Sequence, residues 1–172
     1  EAFRWTSKDG LVGLGFLSET SMKSNGYAIS SDGSTIVGEN FTTSGPEAFR
    51  WTEQEGMVGL GDLEGGSFYS RAYGVSSDGS TIVGFGNDGA LRAFRWTQET
   101  GMSRLDNPTH ISDIGSVARD VSADGSIIIG SVYTLSAFCW SKESGFEALP
   151  YSKPGFRHGG YPLAISADAS VI

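Results

Sequence analysis

The sequence predicts an all-β fold: a β-propeller of four-stranded antiparallel blades, four repeats of about 45 residues each. Three observations carry this. A tetrad centred on Phe and Trp occurs four times, a Ser-Asp-Gly-Ser type of turn keeps the same beat, and every period holds four short strand-like runs.

The tetrad reads Ala2-Phe3-Arg4-Trp5, Ala48-Phe49-Arg50-Trp51, Ala93-Phe94-Arg95-Trp96 and Ala137-Phe138-Cys139-Trp140, and all the tryptophans of the chain sit in it. The turn reads Ser31-Asp32-Gly33-Ser34, Ser77-Asp78-Gly79-Ser80, Ala123-Asp124-Gly125-Ser126 and Ala167-Asp168-Ala169-Ser170. Two motifs in one register exclude coincidence.

The strand-like runs are named A to D within a repeat. In the second they are Ala72 to Ser76, Thr81 to Gly84, Ala93 to Thr97 and Gly101 to Leu105. The A–B junction carries Asp-Gly, which predicts a hairpin of type I′. The C–D junction carries a Gly behind polar residues, as in Gln98-Glu99-Thr100-Gly101, and predicts a second hairpin. Two hairpins per period make one blade. A sandwich would not need motifs on a fixed beat. A parallel β-helix lacks paired hairpins, and no window sustains the periodicity of a helical repeat.

The chain opens on a C–D pair and closes on an A–B pair. The predicted blades are therefore 26–61, 72–105, 117–149, and 162–172 joined with 1–15. The expectation is one domain, closed into a ring because the terminal hairpins pair and leave no free sheet edge. The alternative is a stretch of a longer array. The tail stops at Ser170-Val171-Ile172, before the Gly that follows strand B elsewhere (Gly38, Gly84, Gly130), which keeps that alternative open.

Composition narrows the functions. With 38% hydrophobic and 19% charged residues and 25 glycines, the chain reads as globular and rich in turns. No run approaches the roughly 18 apolar residues of a membrane helix. A net charge of −8 with no basic cluster argues against nucleic acid as a partner. The single Cys139 excludes an internal disulfide and any multi-cysteine metal site, and no metal or cofactor is expected.

The repeated residues read as scaffold. Phe49 and Trp51 share one face of strand C, because side chains alternate with period two. They are expected to fill the wedge between blades rather than to form a ring of sugar-stacking aromatics. Arg4, Arg50 and Arg95 face the other way, where their stems can cover a neighbouring sheet while the guanidinium reaches a carboxylate or carbonyl. Cys139 takes that place in the fourth repeat, with no charged helper to make it a nucleophile. The turn aspartates lack the alternating donors of a calcium loop and are explained by Asx-type hydrogen bonds. Ala169 replaces the turn glycine and should strain the last hairpin.

Function is expected where the repeats disagree. The D–A connections (16–25, 62–71, 106–116 and 151–161) are longer than hairpins require. The candidate ligand-binding residues are Phe68, Tyr69 and Arg71 in the second, His110 and Asp113 in the third, and Tyr151, Arg157 and His158 in the fourth. His110, Asp113 and His158 could form a metal or acid–base group. No spacing such as H-x-x-x-H supports it, so two solvated histidines is the preferred reading. Asp62, Glu64, Asp106 and Asp113 are the carboxylates available to a hydrolase, and nothing in their spacing selects a pair.

Ala-Phe-Arg-Trp, Gly59-Leu60-Gly61 and Val75-Ser76-Ser77-Asp78-Gly79-Ser80 leading into Ile82-Val83-Gly84 together resemble the HAF-repeat family of extracellular bacterial proteins, some of which carry an autotransporter barrel. The likeness spans essentially the whole chain. It departs at the His before Ala-Phe, which here is Glu1, Glu47, Arg92 and Ser136. The strand order and Ser-x-Asp-Gly hairpin also look like TolB-type propellers, more distantly. The resemblance implies a place outside the cell or on its surface, and adhesion; it supplies no catalytic residues. The expected function is a non-enzymatic extracellular binding or interaction module whose variable loops hold a glycan or a surface protein. The alternatives are a polysaccharide hydrolase or lyase using loop carboxylates, and a structural spacer of an autotransporter passenger.

Overall fold

The computed structural model describes residues 1–105, 115–132, 136–149 and 161–172. The described residues contain no helix, and the strands follow the repeat. Strands β1 (Phe3–Thr6) and β2 (Gly10–Gly13) form a two-stranded sheet. Strands β3 (Ser24–Ile29), β4 (Thr35–Thr42), β5 (Gly45–Thr52) and β6 (Gly56–Gly59) form the first complete blade. The second comprises β7 (Arg71–Val75), β8 (Thr81–Asn87), β9 (Leu91–Thr97) and β10 (Gly101–Arg104). The third comprises β11 (Ser116–Val121), β12 (Ile127–Val132), β13 (Ser136–Ser141) and β14 (Gly145–Ala148). All pairings are antiparallel, in the A-B-C-D order that the motifs predict.

In the three complete blades the Phe-Trp motif does what strand alternation predicts, whereas Phe3 and Trp5 of the first copy are exposed. Phe94 is fully buried against Val37, Ala48, Leu60 and Ala72, with Trp96 packed on the same cluster. Phe138 packs on Val83, Ala93 and Leu105, and Phe49 with Trp51 on Ala2 and Leu14. Each aromatic pair thus wedges its blade against the preceding unit. The arginines between them behave as expected too: the Arg4 guanidinium lies 5.3 Å over the Trp51 ring and 3.4 Å from Glu53. Arg50 pairs with Glu55 at 2.5 Å, and Arg95 donates to the Thr81 hydroxyl at 3.1 Å.

A second device between blades was not visible in the motifs. The hydroxyl of Ser70, a fully buried residue, accepts the N–H of Ala48 at 2.9 Å and donates to the Gly61 carbonyl. Ser24 makes the same pair with Ala2 and Gly15, and Ser116 accepts the N–H of Ala93. Strand A of each blade is thereby pinned to strand C of the one before it. Ser70→Ala leaves the Ala48 N–H buried without an acceptor, so a loss of about 1 to 3 kcal/mol is expected in urea unfolding. An unchanged midpoint would show that the bond contributes nothing net.

Two expectations need correction. The A–B hairpin is not type I′. The Gly33 N–H closes a turn on the Ser30 carbonyl at 2.9 Å, and positive φ is confined to Gly33 (73°), Gly79 (72°) and Gly125 (73°) while the aspartates stay negative. The aspartate is held instead by its neighbours: Asp32 accepts from the Ser30 hydroxyl (2.6 Å) and the Ser34 N–H (2.9 Å). That serves the carboxylate without left-handed backbone, and one glycine then suffices to close the loop. Ala169 adopts φ 58°, the positive value at a non-glycine residue that its place in the turn requires.

The ring closure is also not formed. The strand β1 pairs with β2 alone, and the tail 161–172 keeps its A–B turn (the Ser166 N–H on the Val171 carbonyl, 2.9 Å) without joining a sheet. The two half-units are attached to different blades. The first is pinned to β3 through Ser24, whereas the tail meets the third blade through Ile165 on Asp120 and Ala167 on Ala123. The wedges fill fully without bringing the half-units together.

The turn aspartates set an acid limit on stability. Hydrogen bonds from the neighbouring serine hydroxyl and backbone N–H hold Asp32, Asp124 and Asp168 down to about 2, and Asp78 is lowered by the same bonds. Their contribution is complete above the unfolded carboxyl range, near ~3.9, and is lost as pH falls toward 2. Thermal melts between pH 7 and 2 should show the loss confined to that acid window. Replacing the aspartates by Asn should flatten it.

Candidate functional site

Strands A form the inner edge of the blades: β3 meets β7, and β7 meets β11. All three are bulged at the same repeat position. The pairing register shifts between Gly26 and Ala28, between Ala72 and Gly74, and between Ala118 and Asp120. The extra residues are Tyr27, Tyr73 and Arg119. A bulge leaves one residue out of the ladder and re-aims its side chain. Here it turns one large side chain per blade out of the alternation that fills the wedges.

These side chains and their neighbours make one continuous cluster. Tyr27 and Tyr73 meet at a tilt with 5.3 Å between centroids, Tyr73 and Phe85 likewise at 5.9 Å, and Tyr69 meets Phe85 edge-on at 5.1 Å. Two guanidinium groups lie on the rings: Arg119 is 5.0 Å from the Tyr73 centroid and Arg71 is 5.2 Å from that of Tyr69. Such contacts orient an arginine without consuming its hydrogen-bond donors.

Glu39 is the internal counter-charge. It is 2% exposed. Its Oε1 accepts from the Tyr27 hydroxyl at 2.6 Å and the Asn25 amide at 3.0 Å, and its Oε2 lies 2.5 Å from Arg71 Nε. That last pair meets at ion-pair distance without hydrogen-bond alignment. Burial, then the bond to Glu39, pushes the Tyr27 phenol up to about 12, so it is a hydrogen-bond donor throughout the physiological range. Arg119 makes no ion pair among the described residues. Its Nε is buried with no hydrogen-bond partner among the described residues. Among the described residues the nearby carboxylates of Asp62 and Asp120 are occupied by backbone N–H groups, and Glu39 is the one that pairs with an arginine of the cluster.

Of the residues expected from sequence, Tyr69 and Arg71 belong to this cluster, Arg71 as the first residue of β7 rather than in a loop. Phe68 is half-buried beside it, with its carbonyl against Gly45 of the neighbouring B–C connection. His110, Asp113, Tyr151, Arg157 and His158 lie outside the described residues. The carboxylate of Asp62 accepts the N–H groups of Leu63 (2.8 Å), Tyr69 (2.5 Å) and Asn87 (2.7 Å). Asp62 thus anchors a loop to a strand, leaving little of its lone-pair capacity for general-base work. At the position before Ala-Phe, Glu1 and Glu47 cap the N–H groups of Gly15 and Gly61. Burial and the nearby Glu147 push the Cys139 thiol up, opposite to what a nucleophile needs.

Tyr27, Tyr73, Phe85, Glu39 and Arg119 do not stand out in the sequence because they lie in strands rather than in the long connections. Their signal was variation inside strands. The residue three before the turn serine runs Tyr27, Tyr73, Arg119, Leu163, and the residue after the strand-B glycine runs Glu39, Phe85, Ser131.

A groove of about 1400 Å³ opens at the other end of the strands, among the A–B and C–D turns. Arg4, Arg50, Glu53 and Glu55 line it, and they pair with one another there. It is built from recurring scaffold residues, whereas the bulge cluster is built from variable ones.

Comparison with solved structures shows the fold. The chain superposes on the crystal structure of TolB from Acinetobacter baumannii with a TM-score of 0.57 at 16% identity, over 95% of this chain and 39% of that one. It superposes on a protein assigned as TolB from Agrobacterium tumefaciens with a TM-score of 0.58 at 19% identity, over 88% of this chain and 62% of that one. The chain thus spans less than two thirds of the length of either. No family model and no curated protein sequence matches it, so the likeness to HAF-repeat proteins rests on the motifs alone. The fold is a TolB-like β-propeller arrangement of blades.

Proposed function

We propose that the protein is a non-enzymatic binding module that holds its partner, a glycan or a surface protein, on the bulged inner strands. One observation carries this reading: three consecutive blades spend a bulge at the same position to present Tyr27, Tyr73 and Arg119. Aromatic surface with a few oriented polar groups is the usual make-up of a recognition site. The reading moves the centre of the site from the connecting loops to the strands beneath them, with Tyr69 and Arg71 common to both. A place outside the cell or on its surface is part of the proposal and rests on the HAF-repeat likeness. Hydrolysis through Asp62 is disfavoured, since both of its oxygens already accept backbone N–H groups.

The test is a glycan array and a panel of surface proteins probed with the wild type and with Tyr73→Ala. The expected result is a set of ligands held by the wild type and lost by the variant. Ligands retained in full by the variant would move the site elsewhere.

A further inference from the structure

Resting on that reading, the geometry points to a ligand class: the bulged cluster binds a uronate-bearing polysaccharide, with the Arg119 guanidinium as its carboxylate receptor. Four observations converge.

First, the guanidinium is held but not neutralised. Tyr73 lies against it at 5.0 Å, yet its Nε is buried with no hydrogen-bond partner among the described residues. A guanidinium that makes no ion pair among the described residues can meet a ligand carboxylate through two parallel bonds from its terminal nitrogens. Second, the one buried carboxylate nearby is already committed. Glu39 is served by Tyr27, Asn25 and Arg71, so it does not compete for Arg119.

Third, the local charge opposes the global one. A chain of net charge −8 repels acidic polymers in general. Arg71 is paired with Glu39 and the Asp120 carboxylate accepts the Val121 and Ile165 N–H groups, whereas Arg119 makes no ion pair among the described residues, so an acid group is favoured there. Fourth, the surface suits rings better than extended peptide. Tyr27 is 42% exposed and its ring meets that of Tyr73 at a tilt of 49°, offering aromatic area to a pyranose. A peptide would most simply add as a strand on the free inner edge, and the bulges at Tyr27, Tyr73 and Arg119 interrupt that edge in all three blades.

The test is calorimetry with oligogalacturonate and oligomannuronate, their methyl-esterified forms, and an acidic peptide of matched charge. The wild type should bind an oligouronate, and esterification should weaken binding by about tenfold or more, since a neutral ester forfeits the charge-assisted pair. Arg119→Gln should weaken it to the same degree. Arg119→Lys should recover only part, because an ammonium keeps the charge without the planar fork. Equal binding of free and esterified sugars overturns the proposal, as does full affinity in Arg119→Gln or no binding of either oligouronate. The esterification arm needs no variant and stands if Arg119→Gln fails to fold. If the peptide binds and the sugars do not, the uronate assignment falls. In that case, loss of the peptide in Tyr73→Ala leaves the strand site standing, and its retention removes that site too.

Discussion

Phe94→Ala should lower stability by about 3 to 5 kcal/mol, while Phe3→Ala, at the same position of the repeat, should cost less than about 1 kcal/mol. The two side chains are chemically identical and sit in the same tetrad. Phe94 is fully buried against Val37, Ala48 and Leu60 of the preceding blade and Ala72 of its own, so truncation removes its burial and leaves a cavity beneath Trp96. Phe3 is 57% exposed and lies outside the buried clusters between units. The contrast separates the wedge contact from anything intrinsic to the motif. Urea unfolding of both variants measures it. Similar losses in the two would mean that the tetrad stabilises its own sheet rather than the junction between units.

Arg71→Met should cost about 3 kcal/mol, far more than an ordinary surface ion pair, which is worth about 1 kcal/mol or less. Glu39 explains the difference. With Arg71 gone, a carboxylate that is 2% exposed retains only the Tyr27 hydroxyl and the Asn25 amide. The partial exposure of Arg71 itself keeps the figure at the low end of the range for buried pairs. Combining Arg71→Met with Glu39→Gln should recover most of the loss, because the amide needs no counter-charge. If the double variant is as unstable as the single one, the stacking of Arg71 on Tyr69 is the dominant contribution instead.

Much of the fold was legible because each blade repeats the same solution. The Phe-Trp spacing fixes the buried face of strand C, and the Ser-x-Asp-Gly-Ser turn fixes where A ends and B begins. Neither motif contains the rotation from one blade to the next. That rotation emerges from how Phe49, Phe94 and Phe138 seat in their wedges, so ring closure could not be read from the chain. The turn type was misjudged for a local reason. Asp-Gly favours type I′ in isolation, but Ser30 and Ser34 offer Asp32 hydrogen bonds that a different turn satisfies better. The inter-blade serines Ser24, Ser70 and Ser116 do recur on the repeat beat, but each stands alone among variable neighbours just before or at the start of strand A.

The candidate site was legible only at its rim. Tyr69 and Arg71 stand at the end of a long connection, where variation between repeats is easy to see. Tyr27, Tyr73 and Arg119 vary inside a strand, and a bulge inserts them without altering the length of the motif around them. A buried charge was the other available signal. Glu39 stands where the next repeats carry Phe85 and Ser131, and a carboxylate in such a slot requires partners that only the fold brings together.

The most direct test of the central claim, that the bulged inner strands are the recognition surface, is a backbone and arginine side-chain NMR titration with oligogalacturonate. The account predicts shifts concentrated at residues 25–29, 71–75 and 118–120, with the Arg119 Nε–H resonance moving most. Shifts confined to the turns at 31–34, 77–80 and 123–126 would contradict it and move recognition to the opposite end of the strands.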